Sequence, residues 1–272
     1  MSSDEKNDRA TELLSPAGDF TTALSAFAAG ADAVYCGLSE FSARAFAPNL
    51  SYEELANLLA YARAHGKKVY VTFNTLIDED QLEGAVEALA KLEELGPDGV
   101  IVQDLGVAKL VREHFPKLEL HASTQLVAHN LEGVLALKEL GFRRVVLARE
   151  LSLAEITTIA QRCGARKIAD DGRPELELEV FIHGALCYSI SGLCLFGALE
   201  KGRSGNRGTC PYCCRQEGRR KKDDGRRKEE GTDAGRSAEG FCYPFSMKDL
   251  RLGADARKLV EAGVTSLKIE GR

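Results

Sequence analysis

Five times along this 272-residue chain an amphipathic helical stretch closes on a glycine, a few residues pass, and a short apolar run follows. The joins read AAGADAVYCGL, AHGKKVYVTFNT, ELGPDGVIVQD, ELGFRRVVLARE and EAGVTSLKIEGR. A glycine at the close of a helix, Gly96 for example, supplies the positive φ that ends it without a Cβ penalty. The helical stretches carry periodic apolar faces, such as Leu55, Leu58, Leu59 and Ala62 behind the acidic turn of Glu53 and Glu54. The short runs are continuously apolar, which suits parallel strands covered on both faces.

Eight such runs occur, at residues 12–15, 33–37, 68–73, 99–103, 118–123, 144–148, 177–183 and 266–269. Eight strands with intervening helices satisfy a TIM-like (β/α)8 barrel, and the closing count places it ahead of a doubly wound open sheet. Residues 11–272 are expected to form one barrel domain. Residues 1–10 are expected to be disordered. The connection after the seventh strand is far longer than an ordinary βα loop and ends in a last helix near 255–261. Within it, 217–240 reads as a flexible charged insertion with too little apolar surface to fold alone. The chain stops just after its eighth strand, so the helix due there, and a further C-terminal region, are expected to be missing.

Hydrophobic residues make up 44% and charged residues 28%, which fits neither a disordered nor a membrane class. No apolar run approaches the roughly 18 residues of a membrane span, and the polar start MSSDEKNDRATELL lacks the apolar segment of a signal peptide. A cytoplasmic location is expected. Eight cysteines then stay reduced, and metal ligation or reactivity explains them better than disulfides. The net charge of -5 gives no global nucleic-acid footprint.

The cysteines are concentrated in GALCYSISGLCLFGALEKGRSGNRGTCPYCCRQ, directly behind the seventh strand. Cys187, Cys194, Cys210, Cys213 and Cys214 lie there, and Cys242 follows. Thiols gathered in a loop at the end of a buried strand are placed to hold a metal centre. An iron–sulfur cluster tolerates wide ligand spacing. Zinc prefers close pairs such as Cys210 and Cys213, so a zinc site of Cys187, Cys194, Cys210 and Cys213 stays open as the alternative. Cys36 and Cys163 read as small core residues.

Barrel active sites form at the C-terminal ends of the strands. The polar candidates there are Asn74, Gln103, Asp104, Ser123, Gln125, Arg149, Glu150, Glu179, His183, Lys268 and Glu270. Of these, Glu179, His183, Arg149, Gln125, Asn74 and Lys268 are taken as the catalytic set. Arg149 or Lys268 suits a carboxylate or phosphate, and Glu179 or His183 suits proton transfer. His121 reads as a structural hydrogen-bonder or a catalyst, and His65, His114 and His129 as surface residues. Neither the G-x-S-x-G elbow of a serine hydrolase nor a zinc-protease HExxH helix is present. A cysteine protease pairing Cys187 with His183 would need the fold to bring them together. Basic stretches at 202–207 and 215–228 suit phosphate, and Tyr188, Tyr212 and Tyr243 suit base stacking.

Several motifs in order, ELLSPAGD, ADAVYCGL, FNT, STQ, ARELSL, EVFIHGALC with GLC, GNRGTC, KDL and SLKIEGR, resemble the U32 or collagenase-like peptidase family over nearly the whole chain. The likeness breaks at Phe196-Gly197, where relatives carry an aliphatic residue and serine, and at Arg251, where relatives often carry a cysteine. The resemblance implies one of two activities. Some members are described as collagenase-type proteases. Others carry a [4Fe-4S] cluster on four cysteines and take part in oxygen-independent hydroxylation of a tRNA or rRNA base or a quinone precursor. By that resemblance the ligands are Cys187, Cys194, Cys210 and Cys242, with Cys214 in reserve. RNA, a small-molecule hydroxyl donor and a partner protein are the expected partners. A peptidase and a non-enzymatic, metal-stabilised binding module are the alternatives.

Overall fold

The computed structural model describes residues 11–43, 48–165, 167–170, 172–219 and 241–271, with only the backbone described at 218–219 and 241–242. The segment 1–10 and most of the insertion 217–240 lie outside the described residues, as does the Cys242 side chain.

Strands β1 (Glu12–Pro16), β2 (Ala33–Gly37), β3 (Lys68–Phe73), β4 (Gly99–Val102), β5 (Leu120–Ala122), β6 (Arg144–Val146) and β7 (Glu177–Gly184) alternate with helices. These are α1 (Phe20–Ala28), α2 (Tyr52–Ala64), α3 (Leu82–Leu95), α4 (Leu105–His114), α5 (Leu131–Glu139) and α6 (Leu153–Arg162). The long connection after β7 holds α7 (Phe196–Lys201), then the hairpin of β8 (Gly218–Arg219) with β9 (Phe241–Cys242). Then come β10 (Leu250–Arg251) and α8 (Ala256–Ala262), which leads into β11 (Ser266–Ile269). Each neighbour from β1 to β7 pairs in parallel, and β11 inserts between β7 and β1, so eight strands close a barrel. The open-sheet alternative is excluded. β10 adds antiparallel to β7, with Leu250 opposite Gly184.

Sequence explains the helix starts. Ser51 and Glu54 form a reciprocal capping box on α2, and Ser152 and Glu155 repeat it on α6. Each such cap stabilises its helix by about 1 kcal/mol. The apolar faces then seat Leu55, Leu58, Leu59 and Ala62, or Ile156, Ile159 and Ala160, against the strands. At the far end of α3, Gly96 adopts φ 67° and returns its N–H to Leu92. Three strands are shorter than expected from the apolar run, β4 by only its last residue, Gln103. β5 begins only at Leu120 because Leu118 closes a turn onto Phe115. β6 stops at Val146, and Leu147 forms only an isolated bridge to Ala128.

The lower half of the barrel interior is polar. Arg144, 2% exposed, donates from Nη1 to Glu12 (2.6 Å) and Glu179 (3.1 Å), and from Nε to Glu177 (2.8 Å). Its Nη2 donates to the Tyr70 hydroxyl at 3.2 Å, and the guanidinium lies 4.7 Å from the Tyr70 ring centroid. One cation therefore joins β1, β3, β6 and β7. Three carboxylates around it satisfy its donors, which is the condition for burying a charge at tolerable cost. This plug closes the bottom of the barrel and leaves the top open.

Candidate active site at the C-terminal mouth of the barrel

A cavity of about 610 Å³ opens at the C-terminal ends of the strands. Tyr35, Asn74, Gln125, Arg149, Phe181 and Lys268 line it together with Cys187, Cys194, Cys210, Cys213 and Cys214. Four of the six expected catalytic residues thus meet the thiols in one chamber.

Lys268, on β11, reaches the cavity from a buried position. Its Nζ lies 2.7 Å from Glu179 Oε1, 4.4 Å from the Tyr35 ring centroid and 5.5 Å from that of Phe181. The Tyr35 hydroxyl is fixed in turn, donating to Ile269 O and accepting from Gly271 N–H, both at 2.9 Å. Two aromatic faces and one carboxylate hold the ammonium against the cavity wall.

Arg149, just past β6, lies over the Phe181 ring at 5.2 Å and donates to Glu270 Oε2 at 3.2 Å. Glu270 is held by its backbone N–H, which donates to His183 O at 2.8 Å. Opposite them a chain of hydrogen bonds sets two amides. The Ala43 N–H donates to Asn74 Oδ1 (3.0 Å), so Asn74 must present its nitrogen to Gln125 Oε1 (3.3 Å). Ser123 donates to the same oxygen at 3.2 Å. With its oxygen taken twice, Gln125 has its amide nitrogen left for a ligand.

The thiol loop is tied down from below. Glu150 accepts from both the N–H and the hydroxyl of Ser191, which lies between Cys187 and Cys194. Asn206, in the GNRGTC motif, accepts the Cys194 N–H at 3.1 Å through Oδ1, and its carbonyl accepts from Leu76 in the β3–α3 loop. Arg215 donates to Leu186 O, next to Cys187, and to Ser246 Oγ. Gly197 lies against Pro211 and the Arg203 carbonyl, where a Cβ would come within 2.6 and 2.7 Å. The departure at position 197 therefore suits this packing.

Burial raises the Cys210 thiol, the Tyr212 backbone works the other way, and the nearby Cys187, Cys194 and Cys213 raise it further. Cys214 is raised by burial and by Cys187 and Cys210, against the pull of Arg215. Such mutual opposition to ionisation is what a bound cation relieves. Among the described residues no three Cys, His, Asp or Glu side chains are close enough to hold a single ion. Thiolates are the donors that an iron–sulfur cluster takes, so the cavity's five cysteines are of the kind such a cluster would need.

Two expected catalytic residues stand elsewhere. Glu179 is 1% exposed and lies beneath Lys268 rather than on the cavity wall. Burial opposes its ionisation, but the charges of Lys268 and Arg144 outweigh that and hold its carboxyl below the usual range. From there it holds Lys268 at 2.7 Å and Arg144 at 3.1 Å. His183 is exposed near the end of β7 and does not line the cavity, because the register shifts beside it between Lys268 and Ile269. Cys187 therefore meets the Ser189 hydroxyl at 3.0 Å, and a Cys187–His183 dyad is not formed in the cavity.

Gln103 is buried without lining the cavity, and Asp104 caps α4. His121 is buried, 3.0 Å from Glu119 and 4.7 Å from the Tyr70 ring, which makes it structural. Cys163 is a core thiol, and burial pushes the Cys36 thiol up to about 12. Tyr188, Tyr212 and Tyr243 are exposed near the thiols, and Tyr188 packs edge-on to Phe245 at 5.1 Å. The basic stretches contribute less free charge than expected. Arg207 pairs with Asp78 and Arg215 is committed internally, while 220–228 lies outside the described residues.

Comparison with known proteins resolves the family. The sequence profile of peptidase family U32 matches residues 18–272. The chain belongs to peptidase family U32. A 23S rRNA 5-hydroxycytidine C2501 synthase of Escherichia coli (strain K12) is 41% identical over 261 residues, covering 96% of this chain and 36% of that protein. The tRNA hydroxylation protein P of the same organism is 36% identical over 300 residues, covering 96% of this chain and 63% of the relative. A collagenase of Porphyromonas gingivalis (strain ATCC BAA-308 / W83) is 34% identical over 265 residues, with 96% and 61% covered. This U32 chain thus spans between about a third and two-thirds of the lengths of those relatives. The solved U32 peptidase Mk0906 shares the fold at a TM-score of 0.62 and 13% identity, covering 100% of this chain and 98% of that one. No helix among the described residues is long and apolar enough to cross a membrane.

Glu150, Asn206 and Glu270 complete the site but are absent from the expected catalytic set. Glu150 and Glu270 stood among the strand-end candidates without a signal that ranked them. Asn206 was visible only as part of GNRGTC.

Proposed function

We propose that this U32 barrel hydroxylates an RNA base without molecular oxygen, using a [4Fe-4S] cluster held by Cys187, Cys194, Cys210 and a fourth cysteine, Cys242 or Cys214. The observation that carries the reading is the meeting of five thiols with Lys268, Arg149 and Gln125 in a single cavity. Relatives named for rRNA and tRNA hydroxylation cover almost the whole chain and support it. A cluster bound at these thiols supplies one-electron chemistry at the cavity mouth.

Replacing a base C–H by C–OH adds one oxygen atom and removes two electrons. An oxygen source other than O₂ must therefore share the cavity with the base, and a small-molecule hydroxyl donor X–OH meets that need by leaving as X–H, which takes up the hydrogen and the two electrons lost by the base. Lys268 and Arg149 offer such a molecule two cationic anchors. Gln125 offers amide hydrogens whose orientation is set by Asn74 and Ser123. The barrel plug around Arg144 closes the chamber from below, which keeps bulk water out of its floor. A reducing, cytoplasmic setting suits the free thiols.

The name of the Porphyromonas gingivalis relative favours a peptidase as the second reading. The position of His183 away from the cavity counts against it. The test is an anaerobic incubation of the chain with unmodified tRNA and rRNA and a cell-derived small-molecule fraction. A base gaining the mass of one oxygen supports hydroxylation. Cleavage of gelatin with no RNA product would favour the peptidase. If Cys194→Ser unfolds the barrel and no activity of either kind is found, the thiols only staple a binding module.

A further inference from the structure

The thiol loop is shaped around one carboxylate that does not itself line the cavity. Glu150 Oε1 accepts the Ser191 N–H at 2.7 Å, and Oε2 accepts the Ser191 hydroxyl at 2.6 Å. The Arg149 N–H donates to the Ser191 hydroxyl oxygen at 3.2 Å. Ser191 is fully buried and has φ 44°, followed by Gly192 at φ 91°. The Leu193 N–H returns to Ile190 O at 2.8 Å. This is a tight turn whose two central residues both need positive φ, a conformation that costs a serine about 1 kcal/mol. Gly192 permits close seating as well, since a Cβ there would meet Gln125 Cγ at 3.2 Å and Arg149 Nη2 at 3.4 Å. A glycine in place of Ser191 would relieve the strain but remove the hydroxyl that Glu150 holds. The turn separates Cys187 from Cys194 by three residues on one side and one on the other.

We infer that Glu150 is a positioning residue for the thiol set. By gripping Ser191 it fixes the spacing of Cys187 and Cys194 across the cavity mouth before any cluster is bound. The inference rests on the iron–sulfur reading for its consequence, but the spacing itself is a property of the metal-free chain. Glu150→Ala removes both acceptor oxygens, whereas a glutamine could turn its oxygen to the Ser191 N–H and its amide nitrogen to the hydroxyl and so keep the grip. Ser191→Gly keeps the turn and one of the two hydrogen bonds.

The test compares these two variants with the parent chain in two states. In the metal-free chain, crosslinking of Cys187 to Cys194 by a short bifunctional thiol reagent reads the spacing. In the reconstituted chain, loss of visible cluster absorbance to a chelator reads the hold on iron. Expected are a loss of crosslinking yield in Glu150→Ala and chelator-driven cluster loss about ten-fold faster than the parent. Ser191→Gly should fall between the parent and Glu150→Ala, with the thermal midpoint of its metal-free form close to the parent's. Equal crosslinking in all three chains would overturn the inference, whatever iron does. If the parent takes up no iron, the iron–sulfur reading fails separately, and crosslinking still decides the clamp. Should Glu150→Ala fail to fold, Ser191→Gly carries the comparison, and parental values in it would count against the clamp.

Discussion

Lys268 Nζ lies 2.7 Å from Glu179 Oε1, yet only the lysine lines the cavity. The carboxylate is shared downward with Arg144 at 3.1 Å, so charges alternate from the barrel plug to the chamber wall. The two residues should therefore respond differently to substitution. Glu179→Gln leaves two buried cations short of a partner and is expected to cost about 3–5 kcal/mol of stability. Lys268→Met leaves Glu179 paired with Arg144 and should cost less, while abolishing the proposed RNA hydroxylation. Urea unfolding and mass analysis of RNA product check this. A Lys268→Met variant that is both active and the less stable of the two would reverse the assignment.

Acid should undo the plug. Burial opposes ionisation of Glu12, but the Arg144 charge and hydrogen bonds from Arg144 and Tyr70 lower its pKa from 4.5 to about 2. Glu177 and Glu179 are lowered as well, again against burial, by Arg144 with Arg173 or Lys268. A carboxyl depressed on folding contributes stability that is complete above its unfolded value. That stability is lost as pH falls through the folded one. Glu12 alone accounts for on the order of 3 kcal/mol. The urea midpoint should fall steeply from pH 4.5 toward pH 2, and Glu12→Gln should flatten that fall. A parent chain equally stable at both ends of the window would contradict the network.

Gly184 ends β7 with φ 114°, and a Cβ there would come within 2.7 Å of Glu270 Cβ and 3.0 Å of its carbonyl. Gly184→Ala must displace Glu270 and with it the partner of Arg149. Expected are a stability loss of about 1–3 kcal/mol and impaired hydroxylation. Adding Glu270→Gly should recover part of the stability but not the hydroxylation, since Arg149 has then lost the Glu270 carboxylate; no recovery of stability would point to the positive φ rather than to the clash.

His183 is expected to be dispensable. It is exposed and lies off the cavity wall, so His183→Ala should change hydroxylation and stability only slightly, with stability within about 0.5 kcal/mol. Abolished activity in that variant, with the fold intact, would restore the Cys187–His183 pairing as a working idea.

Much of this was legible in the sequence because it is encoded locally. The glycine-terminated helices and continuous apolar runs located all eight barrel strands, with errors only at ends such as 118–119 and 147–148, where turn bonds compete with the ladder. The thiols were legible by concentration alone. Pairings across the barrel were not. Nothing near Glu179 in sequence says that it sits under Lys268, 89 residues on. Nor does the run ARELSL say that Glu150 grips Ser191, 41 residues away. His183 misled because strand periodicity assumes regular register, and the register breaks beside it.

The most direct measurement is iron and inorganic sulfide analysis of the anaerobically purified chain, repeated on Cys187→Ser, Cys194→Ser and Cys210→Ser. About four iron and four sulfide per parent chain, lost from each folded variant together with RNA hydroxylation, is the expected result. A colourless parent chain that holds zinc or no metal, yet still hydroxylates RNA, would contradict the proposed role of the thiols.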